Sequence, residues 1–130
     1  MSDKPAQNAS LTDAQKDVLF NGGTEPPFSG ALLNEHGTGD FVCANCGAVV
    51  FKSGTKFESG SGWPSFYEPA NAKAVHLVED SSHGMQRVEV RCANCDAHLG
   101  HVFHDAPEQP TGMRFCINSL ALDFNADKKS

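Results

Sequence analysis

Cys43, Cys46, Cys92 and Cys95 form two C-x2-C pairs, and the pairs are near copies of each other. Cys43-Ala44-Asn45-Cys46-Gly47-Ala48 is matched by Cys92-Ala93-Asn94-Cys95-Asp96-Ala97. A C-x2-C pair on a tight turn brings two thiolates together. Two such knuckles supply the four sulfur ligands that a tetrahedral structural zinc takes. Gly47 frees the backbone after Cys46, and Asp96 is a turn-tolerant residue at the matching place. With all four positions filled by sulfur, nothing is left for water or substrate, so the expected cofactor is one structural Zn2+ per chain. Disulfides, unpaired thiols and a rubredoxin-type iron or iron–sulfur centre are the other chemistries this spacing allows. The His-Glu-x-x-His of zinc proteases and the His-x-Glu of zinc deaminases do not occur.

A fifth cysteine, Cys116, lies in Arg114-Phe115-Cys116-Ile117-Asn118. In extended chain, residues two apart share a face. Arg114, Cys116 and Asn118 then stand together, while Phe115 and Ile117 point into a core. A guanidinium and an amide beside a thiol favour the thiolate, the reactive form. The plain alternative is a buried, inert cysteine. His98-Leu99-Gly100-His101 supplies two imidazoles, which donate or protonate near neutral pH unless they are ordinary surface histidines. His36, His76, His83 and His104 have no comparable context. Gly60-Ser61-Gly62-Trp63-Pro64-Ser65-Phe66 carries the only tryptophan on a glycine-rich loop, where aromatic rings commonly line pockets.

The elements that must position these groups are short. Ser10, with Asp13 three residues on, predicts a capped helix running to about Phe20, with Leu11, Ala14, Val18 and Leu19 as its buried stripe. Asn21-Gly22-Gly23 stops it. Residues 23–30 contain two prolines and two glycines and must follow an irregular, turn-rich path. Strand-like runs follow at 40–43, 48–52, 75–78, 85–91, 98–103 and 114–124. The run 85–91 alternates most clearly, and Ser82-His83-Gly84 stands where its hairpin turn would be. In 114–124 the core parity changes from Phe115 and Ile117 to Leu120, Leu122 and Phe124, which predicts a bulge or bend near Asn118–Ser119. The expected fold class is therefore mainly β, with one short N-terminal helix and no βαβ alternation.

The 130 residues suit one domain, expected over 10–125 with mobile tails at 1–9 and 126–130. Apolar residues make up 39% and charged residues 20%, a globular composition. A net charge of −6 argues against a nucleic-acid partner and against an electrostatic membrane anchor. There is no run long enough to span a membrane and no hydrophobic leader near Met1. The expected location is the reducing cytoplasm, where cysteines serve as metal ligands or catalysts.

Together these segments resemble the methionine-R-sulfoxide reductase B family. The matching stretches are 23–30, both knuckles, Gly62-Trp63-Pro64-Ser65-Phe66, His83-Gly84-Met85, 98–103 and 114–119, within a similarity that runs over roughly 11–125. The resemblance implies two antiparallel sheets of the β-tent type, with zinc away from the active site. It implies reduction of the R epimer of methionine sulfoxide back to methionine, mostly in proteins, with the free amino acid a secondary candidate. It implies that Cys116 is the nucleophile, becoming a sulfenic acid as methionine leaves, and that Arg114 keeps it ionised. His98, His101 and Asn118 would bind and protonate the sulfoxide oxygen. Trp63 would pack the substrate methyl group and Phe103 would shape the pocket. The implied partners are oxidised proteins and a reductant, thioredoxin or another thiol, acting on a monomer.

Two departures from the family pattern stand out. Many members carry a resolving cysteine where this chain has Ser61. That serine marks either a natural one-cysteine form or an engineered replacement that traps an intermediate. His104 precedes Asp105 where an acidic residue or proline is more usual. A non-catalytic binding module on the same zinc scaffold is the alternative to an enzyme, and Cys116 with Arg114 and Asn118 is the feature such a module has no use for.

Overall fold

Thr12, rather than Ser10, opens the one α-helix among the described residues. Its Oγ1 accepts the Gln15 backbone N–H at 3.1 Å, and Gln15 Oε1 accepts the Thr12 N–H at 2.9 Å, a complete capping box. The helix, α1 (Asp13–Asn21), therefore starts two residues later than expected, because threonine with glutamine three residues on satisfies two orphan donors at once. Only Val18 and Leu19 of α1 are buried; Leu11 is buried just ahead of it, and Ala14 faces solvent, contrary to the expected stripe. Gly22, at φ 72°, ends the helix where the sequence placed its stop.

The computed structural model describes residues 10–81 and 86–126. The strands among them are β1 (Gly39–Cys43), β2 (Val49–Lys52), β3 (Lys56–Phe57), β4 (Ser65–Phe66), β5 (Val75–Asp80), β6 (Arg87–Cys92), β7 (His98–Phe103), β8 (Arg114–Ile117) and β9 (Leu122–Ala126). They form two sheets, β2-β1-β9 and β3-β4-β8-β7-β6-β5. Every paired neighbour is antiparallel, which bears out the mainly-β, two-sheet expectation. The expected hairpin turn Ser82-His83-Gly84, and Met85 after it, lie outside the described residues.

The run 114–124 is not one strand. It is β8, then a 3-10 turn at Ser119–Ala121, then β9, and the turn carries the chain from the larger sheet to the smaller one. The parity change predicted a bend at this place, and the bend is a sheet-switching corner. Glu25 braces it from the irregular segment. Its backbone N–H donates to Asn118 Oδ1 at 3.0 Å, and its carboxylate accepts the Leu120 N–H at 2.9 Å.

Aromatic rings join the two sheets. Phe51 of β2 stacks on Phe66 of β4 at 4.5 Å, and Phe41 of β1 meets the same ring edge-on at 5.0 Å. Phe115 of β8 lies 5.7 Å from Phe51. Each such pair adds about 0.5–1.5 kcal/mol beyond the area it buries. This core fixes β8 from below and leaves its other face for chemistry.

Candidate active site and metal centre

Along β8 the side chains alternate as extended chain requires. Phe115 and Ile117 are 3% and 0% exposed, while Arg114 and Cys116 face the other way. Cys116 stands directly across from His101 on β7 and from Ser65 on β4. A cleft of about 90 Å3 opens over this row, lined by Thr24, Trp63, Arg87, Gly100, His101, Phe103, Cys116 and Asn118. Trp63, His101, Phe103, Cys116 and Asn118 were singled out from sequence, and the fold brings all five together.

Arg114 lies beside Cys116 rather than among the residues that line the cleft. Its Nη1 donates to Cys116 Sγ at 3.2 Å. The other edge of the guanidinium grips both Asp105 oxygens, at 3.0 and 2.9 Å, and its plane lies 4.6 Å from the centre of the Phe103 ring. A fork held on three sides has one geometry, so its N–H stays aimed at the sulfur. The same bonds hold the Asp105 carboxyl below the usual carboxylate range.

Trp63 is set by two contacts. Its Nε1–H donates to the Glu25 carbonyl at 2.9 Å, and Gly62 before it adopts φ 94°. A Cβ on Gly62 would lie 2.6 Å from Pro27 Cβ, so only glycine lets the 23–30 segment close against the tryptophan loop. Asn118 is buried. Its amide donates to the Leu99 carbonyl at 3.0 Å, and its oxygen is taken by Glu25, which leaves one N–H of the amide for an occupant.

The two histidines hold a surprise for a strand. Residues three apart on a regular strand face opposite sides. Here the register slips: Val90 faces Gly100 but Arg91 faces His98, so Leu99 is an extra residue on β7. The bulge turns His98 onto the face of His101, with ring centres 5.4 Å apart. His101 lines the cleft. His98 is 2% exposed and lies beneath it, outside the lining residues. Each ring meets a carboxylate: His98 Nδ1 and Glu89 Oε2 are 2.6 Å apart, and His101 Nε2 and Asp80 Oδ2 are 2.8 Å apart. Burial, more than the charges of Arg87 and His98, pushes His101 below the ordinary histidine range against the pull of Asp80. Burial pushes Glu89 upward, but His98 and Arg91 outweigh it and hold that carboxyl low.

Ser61 Oγ lies 3.5 Å from Cys116 Sγ. It also meets Ser59 Oγ at 2.8 Å; Ser59 meets Ser65 Oγ at 2.7 Å, and Ser65 donates to the Trp63 carbonyl at 3.0 Å. The loop residue that meets Cys116 is thus the one that departs from the family pattern.

Reasoning from sequence missed Thr24, Arg87 and Gly100 in the cleft, and Asp80 and Glu89 behind the histidines. The alternation of Arg87 with Glu89 and Arg91 was visible, but nothing in it says which strand lies next door. His36, His76 and His104 line no part of this cleft. His83 lies outside the described residues.

The two cysteine knuckles are built bond for bond alike. Cys43 N–H donates to the Ala48 carbonyl at 2.9 Å, and Gly47 N–H to the Cys43 carbonyl at 2.8 Å. Cys92 N–H donates to Ala97 at 2.9 Å, and Asp96 N–H to Cys92 at 2.7 Å. Gly47 at φ 80° and Asp96 at φ 66° make the same left-handed step. The four sulfurs converge, 3.6 Å between Cys43 and Cys95, 3.5 Å between Cys46 and Cys92, and all within 4.8 Å of one another. A tetrahedron with Zn–S bonds of about 2.3 Å has edges of about 3.8 Å, so the donor set fits such an ion. Hydrogen bonds from Cys92 and Cys95, together with burial, push the Cys43 thiol well above its usual range; a cation offsets that crowding. These residues could hold one metal ion with no open position. Arg87 of the cleft and Cys92 of the cluster stand at opposite ends of β6, about 17 Å apart along the strand.

Among the described residues, no helix is long and apolar enough to cross a membrane. The SelR domain profile matches residues 11–126. A protein from Photorhabdus laumondii subsp. laumondii named peptide methionine sulfoxide reductase MsrB is 60% identical over 114 residues, which cover 88% of this chain and 83% of the relative. Proteins of the same name from Escherichia coli O139:H28 and from the K12 strain DH10B are 52% identical over 127 residues, covering 95% of this chain and 92% of theirs. By the extent of both likenesses, the chain belongs to the SelR domain family.

Proposed function

We propose that this chain reduces methionine sulfoxide to methionine, acting on the R epimer in oxidised proteins and peptides. The observation that carries the reading is Cys116 Sγ at the floor of a cleft walled by Trp63 and His101, with an Arg114 N–H on the sulfur at 3.2 Å. A sulfoxide needs a nucleophile for its sulfur, donors for its oxygen and an apolar wall for its methyl. Fixing all three at once is what selects one epimer.

The reaction balances as follows. The Cys116 thiolate attacks the sulfoxide sulfur, and the S–O bond breaks as the oxygen takes a proton. Methionine leaves and Cys116 carries the oxygen as a sulfenic acid. Arg114 stabilises the negative charge on sulfur before attack. His101 and the free N–H of Asn118 meet the oxygen, with His98 supporting from below. Trp63 packs the methyl group and Phe103 closes the pocket. With Ser61 at the loop position, no internal thiol resolves the sulfenic acid. Two external thiol equivalents, from thioredoxin or a small thiol, return Cys116 to the thiol and leave as a disulfide and water.

In this reading the metal is Zn2+, held by Cys43, Cys46, Cys92 and Cys95, and it stabilises the fold without entering the reaction. Residues 10–125 act as one domain, a monomer working in the cytoplasm. Turnover of a racemic methionine-sulfoxide peptide with dithiothreitol tests the proposal. Half of the substrate disappears, all of it the R epimer, and Cys116→Ser abolishes the loss. Consumption of the S epimer would end the assignment.

A further inference from the structure

Neither Asp80 nor Glu89 touches the cleft, yet each ends on a histidine ring. Asp80 is the last residue of β5 and Glu89 the third of β6, so adjacent strands deliver both carboxylates to the β7 face. Glu89 stands directly across from His101 in the ladder, but its side chain passes to His98, which the bulge at Leu99 has turned toward it. Asp80 stands across from Arg87, and its Oδ2 meets both Arg87 Nη2 at 3.3 Å and His101 Nε2 at 2.8 Å. Arg91 forms a 3.0 Å ion pair with Glu89, so each carboxylate is also held by an arginine of β6.

The two pairs are opposite in hand. Asp80 takes Nε2 of His101, and Glu89 takes Nδ1 of His98. An ionised carboxylate only accepts, so the ring nitrogen facing it must carry the hydrogen. In a neutral ring the other nitrogen is then bare. For His98 that nitrogen, Nε2, is buried and has no hydrogen-bond partner among the described residues, an arrangement that calls for a purpose.

We propose that Asp80 and Glu89 are positioning residues that hold the two histidines in opposite tautomers, leaving Nδ1 of His101 as the nitrogen that handles the proton and Nε2 of His98 bare beneath it. The inference rests on the reductase reading above and adds how its proton reaches the oxygen. The bare nitrogen of His101 takes a proton from solvent water, and the ring becomes an imidazolium whose charge Asp80 balances. That proton passes from Nδ1 to the departing oxygen, and the ring returns to its neutral form with Asp80 still ionised. The logic is that of a carboxylate orienting a general acid–base histidine. His98, stacked edge-on beneath His101, is held in its complementary tautomer by Glu89.

Long-range 1H–15N correlation spectra of the zinc-loaded protein at about pH 8, above the ordinary histidine range, read the ring nitrogens directly. The expected result is a protonated Nε2 and bare Nδ1 for His101, and the reverse for His98. This needs no turnover, so it stands apart from any failure of the reductase assignment, which the assay of the unaltered protein reveals. Asp80→Asn and Glu89→Gln keep shape but can donate as well as accept. In D80N the His101 tautomer shifts, kcat falls by about 10- to 100-fold and KM stays near its original value. In E89Q the His98 signals shift, with a smaller loss in kcat. The opposite tautomers in the unaltered protein would overturn the proposal. So would a shifted tautomer in D80N with kcat unchanged, or unshifted rings in both variants.

Discussion

Arg114 Nη1 donates to Cys116 Sγ at 3.2 Å, two residues along the same strand, while Asp105 holds the rest of the guanidinium by both its oxygens. The donor is therefore preorganised toward the sulfur, where the proposed mechanism needs it. Arg114→Ala is expected to lower kcat/KM by about 100-fold, the usual effect of losing one such donor. Asp105→Asn keeps the arginine but loosens its aim, and should lower kcat/KM by about tenfold. Steady-state rates with dithiothreitol and a sulfoxide peptide check both, and an Asp105 effect larger than the Arg114 effect would contradict the assigned order.

Ser61 Oγ is 3.5 Å from Cys116 Sγ, the proposed nucleophile. Sulfur at that position needs to close by about 1.5 Å to reach disulfide length. Ser61→Cys is expected to form an intramolecular disulfide with Cys116 after a single turnover, and thioredoxin should then reduce it. Intact mass after one equivalent of substrate gives the answer: the variant loses two hydrogens, and the parent gains one oxygen.

How much of this was legible in the sequence differs from place to place. The four-cysteine cluster could be read outright, because C-x2-C followed by glycine or aspartate encodes its own turn and each knuckle is local. Cys116 with Arg114 was also legible, since period-two alternation needs only one strand. His98 and His101 were picked out by type, but their shared face comes from a bulge at Leu99, and register is a property of two strands together. Strands β3 and β4 have two residues each, too few for any periodicity. Arg87, Asp80 and Glu89 stayed hidden because their roles depend on which strands are neighbours.

If the four cysteines hold a structural zinc, metal and fold are one equilibrium. Binding of such an ion contributes about 10–16 kcal/mol in small zinc domains, more than most domains have in total stability. One zinc per chain should co-purify. Cys43→Ser or a strong chelator should abolish the cooperative thermal transition. A folded, metal-free sample would refute the structural role.

Acid should weaken the fold through His101. Its native form resists protonation because the ring is buried, whereas the unfolded ring takes a proton near the ordinary value of about 6.5. Just below that value the unfolded state binds more protons than the native one, so stability falls as pH drops from about 6.5 toward the depressed native value. Glu89 and Asp105 act lower, since their depressed carboxyls lose stabilisation only through the acidic carboxylate range. Urea midpoints between about pH 8 and pH 5 are expected to decline, and His101→Asn should flatten that decline. An equal slope in the variant would assign the loss to other groups.

The central claim is that Cys116 takes the oxygen from the R sulfoxide. Mixing the reductant-free protein with excess racemic methionine-sulfoxide peptide and counting products tests it in one turnover. The account predicts one methionine peptide per chain, drawn from the R epimer alone, with a protein mass raised by one oxygen and a sulfenic-acid probe attached at Cys116. Methionine formed with Cys116 unmodified, or oxygen found on one of the four clustered cysteines, would contradict it.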